Sequence, residues 1–210
     1  MTIRTATSPN ADHKRRQIIE AAREVLARDG LAGCTARAVA EASPLTKSAI
    51  NYYFDSLDEI IDLAMAAHVT AMLDALRVVA SRPADPHQRL HAVIQGYLDT
   101  FADRPHAAFL WFEYWIAVGR RGSTEPAGAM LGAVRDLLAE LLTGLRAARG
   151  QPAGDLDQAA GALLSWLLGS VVQQQVHPLN PATVAAEADR VLGLSPARSG
   201  WSPRPAPGPR

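Results

Sequence analysis

The chain has 210 residues, and its 21 Lys and Arg balance 21 Asp and Glu, so the formal net charge is zero. That balance excludes uniform coating of nucleic acid and leaves such contact to a local basic patch. A single cysteine, Cys34, excludes an internal disulfide and a multi-cysteine zinc site. The opening MTIRTATSPNADHKRR lacks the apolar run of a secretory signal, so the chain reads as soluble, reduced and cytoplasmic.

Of its residues 39 are Ala and 24 are Leu, both strong helix formers, which predicts an all-α fold. Prolines punctuate it. Pro44, Pro83, Pro86, Pro105, Pro126, Pro152, Pro178 and Pro181 leave long proline-free runs with apolar residues at helical spacing. Five more prolines crowd the segment after 195, so residues 196–210 are expected to form a disordered tail, and residues 1–11 a flexible lead. Helices are predicted over 12–28, 35–42, 46–53, 56–81, 87–103, 106–120, 126–149, 155–176 and 181–193, nine in all. Ser56 with Glu59 and Asp155 with Gln158 have the spacing of capping boxes, and Asn180-Pro181 pairs an N-cap with Pro at the first helical position.

The first helices are short and the later ones long, and charge shifts at the same place. Residues 1–54 hold 8 Lys/Arg against 5 Asp/Glu, whereas residues 55–210 hold 13 against 16. A small basic head over 12–55 thus precedes an acidic helical body over 56–195. In the head, Ile18, Ile19, Ala22, Val25 and Leu26 make one apolar stripe, and Gly30 is placed to end the first helix. Thr35 caps the second helix, Ser43-Pro44-Leu45 makes a turn, and Thr46 caps the third, giving a helix-turn-helix. Small polar side chains at the start of the third helix, Thr46, Lys47, Ser48 and Asn51, can approach base edges, while Lys47 and the Tyr52 hydroxyl can hold phosphate. Helix N-termini at Thr35 and Thr46, flanked by Arg37 and Lys47, add donors for phosphate. Read without DNA, the same residues are ordinary solvated caps.

VAEASPLTKSAINYYF followed by DSLDEI, with RRQIIEAA and Thr35 ahead of it, resembles the DNA-binding domain of the tetracycline-repressor (TetR) family over residues 12 to about 61. The resemblance implies a ligand-responsive, homodimeric transcriptional regulator, a repressor released from a palindromic operator on double-stranded DNA by a small molecule. Four departures stand out: Pro44 for a usual Gly in the turn, Ser48 for Gly, Asn51 for Tyr, and Leu57 for a phosphate-touching Lys. Since Pro cannot take a positive φ, Pro44 requires a rearranged turn.

In the body, residues 158–186 contain no Asp, Glu, Lys or Arg. The apolar part, 159–172, falls short of the ~20 residues that span a bilayer, so no membrane span is expected there. A helix apolar all round must be covered all round. Gly161, Ser165 and Gly169 recur every fourth residue, a ridge that admits a second helix. The family dimerises through its last two helices, which places Gly161, Ser165, Gly169, Val172 and Ala185 at the interface. The alternative is a fully buried monomer core.

Residues 106–120 hold five aromatics and resemble the body of the BetI-like branch of the family, which responds to choline. Met65, His68, Met72, Gln95, Trp111 and Trp115 are candidate walls of an effector pocket, with Glu113 as counter-charge to a cation. An apolar or cationic effector fits them, and plain core packing fits the aromatic stripe as well. His87 and His91, spaced i, i+4, could hold a metal, but spacing places no third ligand beyond an approach by His106 or Glu113, so they are read as a solvated helix start and no metal site or cofactor is expected. Cys34 beside Thr35 reads as a small half-buried residue rather than a redox thiol. Phosphate loops and the HExxH, GxSxG and DDxxD signatures of enzymes do not occur, so no catalytic residue is expected. The alternative functions are a non-DNA-binding helical dimer, either a carrier or a small helical enzyme, and a regulator that senses another protein.

Overall fold

The computed structural model describes residues 9–102, 105–152 and 154–194. Its elements are α1 (Pro9–Gly33), α2 (Ala36–Ala42), α3 (Lys47–Tyr53), α4 (Leu57–Ala80), α5 (Pro86–Ala102), α6 (Pro105–Arg121), α7 (Glu125–Ala148), α8 (Leu156–Gln174) and α9 (Pro181–Val191), with no strand among the described residues. The expected tail, most of the expected lead and the His106 side chain lie outside the described residues.

Local chemistry sets most boundaries. Ser56 accepts from the Glu59 amide at 3.1 Å and Asp155 from the Gln158 amide at 2.8 Å, as their spacing predicts. Glu59 reaches back to the amide of Asp55 at 3.0 Å, one residue before the cap. Asp85 accepts from Gln88 at 2.8 Å and opens α5, a cap that the sequence reading passes over. At Gly30 the backbone leaves helical geometry (φ 72°, ψ −173°), where glycine is favoured because it lacks a Cβ. The chain then makes one more helical turn before Thr35, which extends α1 beyond its predicted end.

α5 is the central post of the body and packs on α4, α6, α7, α8 and α9. In the head, α1 packs on α2 and α3 and also on α4 and α6. One apolar core therefore runs from Ile18 through Leu90, Leu138 and Leu163 to Ala188. α4 is long and apolar enough to cross a membrane by length and composition, with a mean hydropathy of 1.5 in its most apolar window. Here it buries one stripe, including Ile60, Ala64, Met65, Val69, Met72 and Leu76, against α1, α5 and α7. That is how an amphipathic core helix packs.

Candidate nucleic-acid interface and apolar cavity

α2 and α3 bury Val39, Ile50 and, just past α3, Phe54 against α1 and α4, which turns their polar side outward. Thr35, Arg37, Thr46, Lys47, Ser48, Asn51 and Tyr52 are all exposed. Thr35 accepts from the Ala38 amide at 3.1 Å and Thr46 from the Ala49 amide at 3.3 Å, so both hydroxyls cap their helices. Arg37 pairs with Glu41 at 2.8 Å on the surface, where a phosphate can compete for it. Tyr52 is 82% exposed, the most exposed large apolar side chain among the described residues, and stands edge-on to Tyr53. The turn is rearranged as Pro44 requires. Ser43 takes an extended conformation (φ −108°, ψ 158°), and its Oγ accepts from the Leu45 amide at 2.9 Å. No residue of the turn has a positive φ.

One polar cluster fastens this head to the body, and a second ties α6 to the first turns of α4. The Arg15 guanidinium of α1 donates to the Tyr53 carbonyl, pairs with Glu59 at 2.9 Å and lies 4.1 Å over the Phe54 ring. One side chain thus joins α1, the end of α3 and the start of α4. From α6, Arg121 pairs with Asp62 and, at 3.2 Å, with Asp58, while the Tyr114 hydroxyl donates to Asp62 at 2.8 Å. Burial and then the Asp62 carboxylate push the Tyr114 phenol above its ordinary value. For Arg121 burial opposes the charge, but Asp62 and Asp58 outweigh it and raise the guanidinium further. The sequence reading missed both clusters.

Inside the body, Met72 of α4, Tyr97 and Phe101 of α5, Trp111, Phe112 and Trp115 of α6, Met130 and Val134 of α7, and Leu168 and Val171 of α8 enclose a cavity. The free space is about 20 Å³. No charged side chain lines it among the described residues. The Trp111 and Trp115 rings lie 5.9 Å apart, and each indole Nε1–H is buried with no acceptor among the described residues. An unsatisfied buried donor costs about 1–3 kcal/mol, so these two groups are primed for a hydrogen-bond acceptor. Met130 also lines a larger open groove of about 880 Å³ between α4 and α7, which reaches Arg15 and Glu59 beside the head.

Of the candidate pocket residues, Met72, Trp111 and Trp115 meet at this cavity. The others do not. Met65 is buried core, and half-buried His68 lies outside the cavity wall. Gln95 bonds Asp99 at 2.7 Å and lines a separate groove with Gln174 and Pro178. Glu113 is exposed and faces Gly30 of α1, so it supplies no counter-charge to the aromatic cavity. Its place follows from the helix, since two residues on from Trp111 is about 200° around the axis.

Two further expectations are corrected. His87 and His91 are half-buried, and both bond Asp189 of α9, a partner that spacing could not supply. Burial alone would raise the Asp189 carboxyl, but hydrogen bonds from the two histidines outweigh it and hold it below its usual range. Cys34 is buried outright at 3% exposure, and burial followed by the nearby Asp29 pushes its thiol up to about 11. On α8, Ala160, Leu163, Leu164, Leu167 and Val171 face the core, while Ser165, Gly169 and Val172 are exposed and Gly161 is half-buried. A Cβ added at Gly161 or Gly169 would meet nothing within 4 Å among the described residues beyond the helix's own backbone. Ala185 of α9 is half-buried.

Residues 18–64 match the family of bacterial regulatory proteins described as the tetR family. Those residues carry that family's N-terminal domain. Curated relatives of the chain are named as regulators of transcription. It is 27% identical over 105 residues to the HTH-type transcriptional regulator PksA of Bacillus subtilis, covering 49% of this chain and 51% of PksA. Against PksA the chain therefore spans about half the relative's length. It is 27% identical over 171 residues to the HTH-type transcriptional regulator BetI 1 of Chromohalobacter salexigens, covering 78% of this chain and 82% of that one. A TetR transcription regulator from Haloarcula marismortui shares the fold, with a TM-score of 0.68, 16% identity and coverage of 87% and 97%. Within this tetR-family head, the departures at Ser48 and Asn51 stand on the exposed face of α3, while Leu57 opens α4 half-buried against the core.

Proposed function

We infer that the protein is a homodimeric transcriptional regulator that binds a palindromic operator in the cytoplasm and is released from it by a small molecule. In this reading residues 12–55 bind DNA, and residues 56–195 bind the effector and the second copy. The observation that carries it is the exposed polar face of α3, fixed by Arg15 to the start of α4, whose later turns wall the cavity. One α3 per half-site enters the major groove, and dimer symmetry matches half-sites about 34 Å apart. The outward face of α8, with Gly161, Ser165, Gly169 and Val172, meets its symmetry mate.

The cavity supports an effector that is mostly apolar and carries at least one acceptor oxygen for the Trp111 and Trp115 donors. Since the free space is about 20 Å³, a larger effector must push α6 or its tryptophans aside. A shift of α6 pulls on Asp58 and Asp62 through Arg121 and Tyr114, within two turns of the head. The tilt changes the separation of the two recognition helices. An effector that prefers the DNA-incompetent spacing by ~100-fold, or about 2.7 kcal/mol, releases most operators.

The test is capture of genomic fragments by purified protein, followed by sequencing and titration of the enriched site. Lys47→Ala should weaken binding to all sequences and flatten its salt dependence. Asn51→Ala should relax preference at about one base position, costing roughly 1–3 kcal/mol. The absence of any preference over random DNA at moderate salt would overturn the reading.

A further inference from the structure

We propose that His87, His91 and Asp189 form a site for a divalent transition metal, best matched by zinc, that clamps α9 to α5. The two histidines stand one helical turn apart on the same face of α5, with rings 4.2 Å apart. Both Nε2 atoms point at one oxygen, Asp189 Oδ1, at 2.8 and 2.9 Å. One ligand atom from each residue lies within 4.8 Å of the other two. Bonds of ~2.0–2.2 Å in a tetrahedral zinc site hold ligand atoms about 3.3 Å apart. The cluster thus needs to open by only about half an ångström to admit the ion.

The donor set points to the class of metal. Two imidazoles and one carboxylate suit zinc, cobalt or nickel, whereas magnesium and calcium prefer all-oxygen shells. Three protein ligands leave a fourth position for water. The side chains are 29%, 26% and 19% exposed, so the cluster is sheltered yet open to an ion from solvent. A metal bound at Nε2 requires a ring that carries its one proton on Nδ1.

The consequence is structural. α9 also packs on α8, on whose outward face a Cβ added at Gly161 or Gly169 meets nothing within 4 Å among the described residues. A metal that fixes α9 therefore braces the surface beside that face. This site stands on the side-chain geometry alone and does not depend on DNA binding.

The experiment uses the full chain, stripped with EDTA, desalted, and titrated with zinc chloride by calorimetry near pH 7.5. The expected result is one zinc per chain, a rise in Tm with zinc and none with magnesium. Cobalt(II) in its place should give the intense visible bands of a tetrahedral site. His91→Asn and His87→Gln keep a hydrogen-bond donor toward Asp189 but remove a ring ligand. Each should lower zinc affinity at least tenfold while far-UV circular dichroism stays that of the unaltered chain. Should one variant fail to fold, the other, read with the cobalt spectrum of the unaltered chain, decides. Octahedral bands only, no stoichiometric zinc, or zinc affinity unchanged in folded variants would overturn the proposal, the last by placing the ion on other residues such as His13, His68 or His177.

Discussion

Replacing Trp111 or Trp115 by Phe tests whether the cavity stores unsatisfied polarity. A buried Trp→Phe change ordinarily destabilises, because the lost ring leaves a gap worth about 1–2 kcal/mol. Here the same change also removes an indole N–H that is buried without an acceptor among the described residues. Relief of that penalty returns about 1–3 kcal/mol. The two effects nearly cancel, so each single variant should lie within about 1 kcal/mol of the parent, a Tm change of no more than about 4 °C for a chain of this size. Trp→Ala at the same positions should cost about 3–5 kcal/mol, since it removes the whole ring. The double Phe variant is not expected to be additive, because the two rings touch. Urea denaturation followed by circular dichroism measures all of these. A loss of more than about 3 kcal/mol in either Phe variant would show that the indole N–H is satisfied in solution, and the inferred acceptor on the effector would lose its basis.

Gly169→Leu should leave the single chain folded, since Gly169 is exposed and an added Cβ meets nothing within 4 Å among the described residues, but should give monomers by light scattering and weaken operator binding. An intact dimer with normal DNA affinity would place the interface elsewhere. Tyr114→Phe removes a hydrogen bond to a charged group and should cost about 1–2 kcal/mol, whereas Asp62→Ala should cost more because it strips the acceptor from both Tyr114 and Arg121. Equal losses on thermal unfolding would contradict that shared role. Cys34 should react with a disulfide reagent at pH 8 far more slowly than the unfolded chain, because its thiol is pushed up to about 11. Since the folded value is raised, this thiol's contribution to stability is complete below the unfolded value near ~8.5 and is lost as pH climbs toward the folded value. Labelling at the rate of the unfolded chain would refute the burial.

The helices were legible because their signals are local. Ser56, Asp155, Thr35 and Thr46 each bond an amide three residues on, so the four-residue pattern carries the whole interaction. The polar start of α3 was legible for the same reason, since Thr46, Lys47, Ser48 and Asn51 announce it by residue type alone. The fastenings were not. Arg15 meets Glu59 across 44 residues, Tyr114 meets Asp62 across 52, and His91 meets Asp189 across 98. Composition offers no sign of such pairings, which depend on how the helices stack. The pocket lay between these cases. Periodicity puts Trp111 and Trp115 on one face, but depth along α4 decides that Met72 reaches the cavity while Met65, two turns earlier, is plain core. Glu113 was misplaced despite a local signal, because charge complementarity was weighed above its angle on α6.

The Ser43–Pro44–Leu45 turn bears on how freely this chain can change what it recognises. α2 and α3 have seven residues each, far below the ~12–15 at which an isolated helix begins to persist in water. Their mutual angle must come from the core beneath and the turn between them. Proline holds φ near −65° in the unfolded chain as well, so less freedom is surrendered on folding, an advantage of about 0.4–1 kcal/mol at a compatible site. The scaffold of the head thus draws on Val39, Ile50, Phe54 and a stiff covalent ring, all facing away from solvent or lying outside α3. Substitutions at Ser48 or Asn51 spend none of that stability. The lineage that carries this turn is free to explore new target sequences one outward side chain at a time, with the frame that presents them left intact.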